Sequence, residues 1–126
     1  MPPVAAALTR RILTGSLVAA TGLLLAGTPL LTIADEAGAR AKMELGRKVF
    51  TQTADPQCGV CHALADAGTN GTIGAKLEEL KPDAARVAKA VRDGVGVMPP
   101  YADKLTVEQI EAVAYYVSRA AGGAAK

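Results

Sequence analysis

The segment QCGVCHALADAG, residues 57–68, contains both cysteines of the chain and its single histidine. Two residues separate Cys58 from Cys61, and His62 follows directly. Thiols at i and i+3 lie on one face of a helical turn, so two sulfurs and an imidazole are offered to the same ligand. Three chemistries use such a set: a redox-active dithiol, part of a zinc site, or covalent attachment of a haem.

A thioredoxin-like dithiol normally sits in a βαβ setting, and nothing here reads as a parallel sheet. Zinc takes four ligands, and the sequence holds no second cluster of Cys or His. A disulfide between residues three apart closes a tiny loop and stabilises little. The spacing C-x-x-C-H is the attachment signature of c-type haem. Each sulfur can form a thioether with a different vinyl group, and His62 can aim its imidazole at the iron. One covalent haem c on Cys58 and Cys61, with His62 on the metal, is the reading that the motif favours.

A second axial ligand cannot be another histidine of this chain. Of the three methionines, Met1 belongs to an N-terminal leader. Met43 falls on the apolar face of a helix, where packing explains it. Met98 lies in GVGVMPPY. Gly94 and Gly96 let the backbone turn, and Pro99-Pro100 stiffen the chain after the methionine. Met98 is therefore expected on the iron beside His62.

The elements that must place these residues read as helices and loops. Around AGARAKMELGRKVFTQ, Ala39, Met43, Gly46 and Phe50 recur every three or four residues, the spacing of one helical face. PDAARVAKAVRDG predicts a second helix with Pro82 in its first turn, a stripe of Ala84, Val87, Ala88 and Val91, and Gly94 as its stop. The last helix begins at a capping box, Thr106 with Gln109, flanked by Leu105 and Ile110 as a hydrophobic staple. Ile110, Val113, Ala114, Val117 and Ala121 give its buried stripe. Residues 65–75 and 94–103 have no helical period and read as loops.

The chain's 126 residues allow one small domain. Arg10 and Arg11 precede an uncharged stretch, Ile12 to Ala34, with small residues at its end. These are the parts of a secretory signal peptide, which sets residues 1–34 as leader and 35–126 as the functional domain. Retention of the stretch as a membrane anchor is the alternative, and either outcome exports the rest. Of 14 basic residues, Arg10 and Arg11 belong to the leader, leaving 12 against 12 acidic ones. No basic run remains, which argues against a nucleic-acid partner. A domain of about 90 residues cut from a chain with only 3% aromatics is poor in core material, so a cofactor suits it as a staple.

From about Gly38 to Ala121 the chain resembles the class I mono-haem cytochromes c. The likeness rests on Gly46 and Phe50 before CGVCH, on GTIGAKL, on MPPY and on LTVEQIEAVAYYV. CHALADAG, LEELKP and GVGVMPP also resemble the cytochrome subunit of bacterial sulfite dehydrogenases. The resemblance implies an all-α cytochrome c fold wrapped around one haem, with Gly46, Phe50 and Tyr116 at the crossing of the first and last helices. It also implies single-electron transfer between redox proteins in the periplasm, a sulfite dehydrogenase catalytic subunit among them, rather than catalysis. Two departures stand out. Ala75 takes the place of a proline next to the carbonyl that accepts the proximal histidine's N–H, leaving open which residue makes that bond. No tryptophan is present to meet a haem propionate, and Tyr101 is the candidate instead. A haem enzyme or sensor with an open iron, and an obligate oxidoreductase subunit, remain the competing readings.

Overall fold

The computed structural model describes residues 30–124. Residues 1–29 of the expected leader lie outside them, and the expected boundary after Ala34 falls inside the first helix. That helix, α1, spans Leu30–Lys48, with Arg47 and Lys48 in its last turn, where cations suit the negative end of the helix dipole. It passes into a wider π-type turn, Val49–Thr53. Widening frees carbonyls from the regular ladder, and the threonines next in the chain answer them. Thr51 Oγ1 donates to the Arg47 carbonyl at 2.9 Å and Thr53 Oγ1 to that of Lys48 at 3.4 Å. The adjacent side chains Val49 and Phe50 are both buried there.

One helical turn, α2, covers Cys58–Cys61. A short antiparallel hairpin follows, β1 (His62–Leu64) with β2 (Thr69–Thr72). The sequence reading treats residues 65–75 as loop, and the hairpin is a correction to it. Strands of three and four residues are too short to show a period. Thr69 holds this one: its Oγ1 donates to the His62 carbonyl at 2.9 Å and accepts from the Leu64 N–H at 3.1 Å. The turn of α3 is Leu77–Leu80.

Helix α4 is Ala84–Asp93. Its start departs from the sequence expectation, because Asp83 caps it by accepting the Arg86 N–H at 2.8 Å, leaving Pro82 just outside. A capping carboxylate satisfies an orphan donor that Pro82 cannot. Val87 and Val91 are buried, and Gly94 ends the helix at φ 74°. Helix α5 runs Val107–Ala120 behind the expected capping box, with both Thr106–Gln109 hydrogen bonds formed. Leu105 and Ile110, the staple pair, are both buried.

Helices α1 and α5 cross through Gly46. A Cβ there would stand 2.5 Å from the Tyr116 Cβ and would overlap the Ala112 carbonyl. Close approach sets Phe50 edge-on to Tyr116, ring centres 6.0 Å apart. Both rings are at most 1% exposed. Burial of each contributes roughly 1.5–3 kcal/mol, and the edge-to-face pair about 1 kcal/mol more. The Tyr116 hydroxyl donates to Asp66 Oδ1 at 2.5 Å, tying the hairpin turn to this crossing.

Ser118 on α5 is fully buried, and its Oγ has no hydrogen-bond partner among the described residues. An unpaired buried hydroxyl costs about 1–3 kcal/mol. Ser118→Ala is therefore expected to stabilise the protein by about 1 kcal/mol, read as a higher midpoint in thermal unfolding. A lower midpoint would show that the hydroxyl has a partner, such as a bound water.

Candidate functional site

The fold brings Cys58, His62 and Met98 onto one pocket between α2, α3, α4, α5 and the loop after α4. Its walls are apolar: Phe50, Leu77, Val87, Val91, Val113 and Val117 line it. The space between atoms, mouth included, is about 530 Å³, within the range of cofactor pockets. Cys58 lies at its wall, buried, with Cys61 half-buried one turn later. Burial pushes the free Cys58 thiol up to about 11. A redox dithiol needs the opposite shift, and the small sheet is antiparallel, not βαβ. Among the described residues, no group of three or more His, Cys, Asp or Glu is placed to hold a metal ion. Neither the dithiol nor the zinc alternative has the geometry it requires.

His62 is held from behind. Its Nδ1 lies 2.9 Å from the Ala75 carbonyl oxygen. A carbonyl only accepts, so Nδ1 carries the proton and Nε2 is left with a free lone pair. The open question of which residue makes this bond is answered by Ala75: the acceptor is backbone, and proline is not needed for it. Gly74 completes the cradle. A Cβ at that position would come within 2.5–2.8 Å of three atoms of the imidazole ring, so only glycine lets the segment after β2 lie against it.

The Met98 loop is a tight turn. The Val95 N–H donates to the Met98 carbonyl at 3.1 Å, and the Met98 N–H returns to Val95 at 2.9 Å. Gly96 turns it at φ 58°. Gly94, at φ 74°, has no room for a side chain beside the Met98 carbonyl, 2.7 Å from where its Cβ would be. Met98 is half-buried and lines the pocket. Met43 is half-buried against the core, the packing role expected of it.

Tyr101 does not reach the pocket. Its hydroxyl donates to the Pro56 carbonyl at 2.7 Å and its ring is 3% exposed; burial pushes its pKa up to about 12. It ties the end of the Met98 loop to the segment before Cys58. The propionate role that the sequence suggests for it is thereby corrected.

The structure fits a haem on its own terms. An apolar space has the Cys58 thiol, an oriented imidazole and a thioether on its lining, with Cys61 on the same short helix as Cys58 and a glycine whose missing side chain makes room for the imidazole. Outside it, Val60 is 60% and Val97 85% exposed, beside the two expected ligand segments. Ile73 and Val95 are also exposed, and sequence reading missed both. It missed α3 as well, whose Leu77 and Leu80 line the pocket.

A family profile described as cytochrome c oxidase, cbb3-type, subunit III matches residues 41–117. The chain is 33% identical over 105 residues to chloroplastic cytochrome c6 of Chlamydomonas reinhardtii, an alignment covering 76% of this chain and 66% of that protein. Its fold is similar to the crystal structure of the c-type cytochrome SorU from Sinorhizobium meliloti. There the TM-score is 0.64 and the identity 52%, over 69% of this chain and 99% of that one.

Proposed function

The chain belongs to the cytochrome c family represented by that profile, and on this premise we propose that it is an exported mono-haem carrier of single electrons. The observation that carries this reading is the apolar pocket on which Cys58, His62 and Met98 meet. Cys58 and Cys61 would hold the haem through thioethers, and the His62 imidazole and the Met98 thioether would bind its iron. Bound there, the haem supplies a one-electron iron couple.

The chain's own residues serve to hold still. The Ala75 carbonyl fixes the His62 tautomer, as partners behind a metal-binding histidine generally do. The turn of Val95 to Met98 is closed by two backbone hydrogen bonds, so the thioether sits on a stiff support. Apolar walls keep water out and favour the less charged, ferrous state. A site that need not rearrange suits electron transfer better than substrate turnover.

Export to the periplasm is the proposal for location, supported by the leader features of residues 1–34. No helix among the described residues is long and apolar enough to cross a membrane. The partners proposed are a redox donor and an acceptor, with a sulfite dehydrogenase catalytic subunit favoured by the resemblance in CHALADAG, LEELKP and GVGVMPP. The exposed Val60 and Val97 would form part of a small contact surface of the kind that transient redox complexes use.

Mass spectrometry under denaturing conditions tests the cofactor directly. The polypeptide is expected to carry the mass of one haem, lost when Cys58 and Cys61 are both replaced by alanine. A bare polypeptide mass after expression with haem-attachment machinery would end this reading.

A further inference from the structure

His62 and the carbonyl that holds it lie on two segments, residues 61–65 and 74–78, that run side by side. Three hydrogen bonds join them, each between residues thirteen apart. The Gly74 N–H donates to the Cys61 carbonyl at 2.8 Å. His62 Nδ1 donates to the Ala75 carbonyl at 2.9 Å. The Ala65 N–H donates to a carboxylate oxygen of Glu78. The bond that orients the imidazole is the middle rung of the three.

The outer rungs differ in kind. The first is main chain to main chain, and any sequence can supply it. The third is made by one side chain on the short turn α3. Between them Ala75 is weakly constrained: it is exposed, and among the described residues its N–H makes no backbone hydrogen bond. With no pyrrolidine ring to fix φ, its peptide plane is set by what grips the chain on either side. Leu77 anchors the far side by burial, a contact without direction. The Glu78 carboxylate adds direction, because a charged acceptor on an N–H is roughly twice as strong as a neutral one.

The partner of this last rung is itself fixed. Asp66, next to Ala65, accepts from the Tyr116 hydroxyl with its side chain and from Arg47 with its carbonyl at 3.2 Å. Glu78 therefore ties the segment behind His62 to a turn that α1 and α5 already hold. Its neighbour Glu79 is spent locally, paired with Lys76 at 3.2 Å.

We propose that Glu78 is a positioning residue for His62: its grip on the Ala65 N–H keeps the Ala75 carbonyl on Nδ1. The inference rests on the proposed role of His62 on haem iron. Glu78 is off the pocket lining, so it acts through the backbone of residues 75–77 and not by contact with the cofactor.

Hydrogen exchange of the His62 ring N–H, followed by NMR on the reduced holoprotein, reads this bond directly. Exchange requires the carbonyl to leave the ring, a local opening. Glu78→Ala is expected to speed it about tenfold, the effect of losing one charge-assisted hydrogen bond. Glu78→Gln removes the same charge but leaves an amide oxygen to accept, so it should change the rate by less than about threefold. Adding Ala75→Pro to Glu78→Ala should return most of the protection, since the ring fixes the freed φ and breaks no backbone hydrogen bond. Thr106→Ala, which removes the cap of α5 at a similar cost in stability, should leave the ring N–H at the parent's rate.

Parent-like exchange in Glu78→Ala would overturn the proposal and make burial of Leu77 a sufficient anchor. Equal acceleration in the alanine and glutamine variants would overturn it too, since charge and not the contact would then matter. So would equal acceleration by Thr106→Ala, the mark of exchange through unfolding and of a residue that only stabilises the fold. Failure of the haem reading shows separately, as a parent polypeptide without the mass of a haem.

Discussion

Gly46→Val lowers the thermal midpoint of the holoprotein by roughly 10–20 °C, the shift that ~3 kcal/mol produces in a domain this small. The size reflects the atoms that the new side chain meets. At Gly46 even a Cβ would stand 2.5 Å from the Tyr116 Cβ and press on the Ala112 carbonyl. Backbone of a partner helix cannot swing aside as a flexible side-chain tip can. Overpacking ordinarily costs about 1–3 kcal/mol, and a clash with main chain belongs at the upper end of that range. The helices must part, and the Phe50–Tyr116 edge contact at 6.0 Å parts with them. Gly38 is the internal control. It lies on the same helix with nothing within 4 Å of its would-be Cβ, so Gly38→Ala is expected to stabilise by about 0.5–1 kcal/mol through helix propensity alone. Differential scanning calorimetry of the two variants separates crowding from propensity. A Gly46→Val midpoint equal to the parent's would place the close approach of α1 and α5 elsewhere.

How far the sequence could be read depended on whether side chains or backbone made the feature. Helix α5 was legible because its start is written in side chains, Thr106 and Gln109, and its stripe repeats over four turns. The inward face of α1 was legible for the same reason. Its π-type ending was not, since that is a change of hydrogen-bond register supported by two threonine hydroxyls, which no apolar period reports. The β1–β2 hairpin escaped because Thr69 and main-chain atoms hold strands of three and four residues.

The candidate site divides along the same line. Cys58, Cys61, His62 and Met98 announced themselves by type and spacing, and the fold brings Cys58, His62 and Met98 to one pocket. The support of His62 could not be assigned, because the acceptor is the carbonyl of Ala75 and any residue could supply a carbonyl. Tyr101 was misread. An aromatic hydroxyl near a cofactor loop looks available until the fold shows it engaged by Pro56.

Met98→Ala is expected to leave the haem covalently attached and to change the iron's potential and its access to small ligands. Attachment depends on Cys58 and Cys61, and His62 keeps its support from Ala75, so the variant should still load. The thioether favours ferrous iron, so removing it should lower the reduction potential on the order of 0.1 V, a fraction of the roughly 0.8 V that axial ligands span. The weak near-infrared band of sulfur bound to ferric haem, expected in the parent, should vanish. Carbon monoxide should bind the reduced variant readily and the parent hardly at all. The loop makes this contrast sharp. Two backbone hydrogen bonds between Val95 and Met98, with positive φ at Gly94 and Gly96, hold the parent's residue 98 at the pocket wall. The alanine variant keeps that backbone and loses the side chain beyond Cβ, the sulfur with it. Carbon monoxide binding by the parent as readily as by the variant would show that Met98 does not guard the iron, and would favour an open-site enzyme or sensor over a carrier.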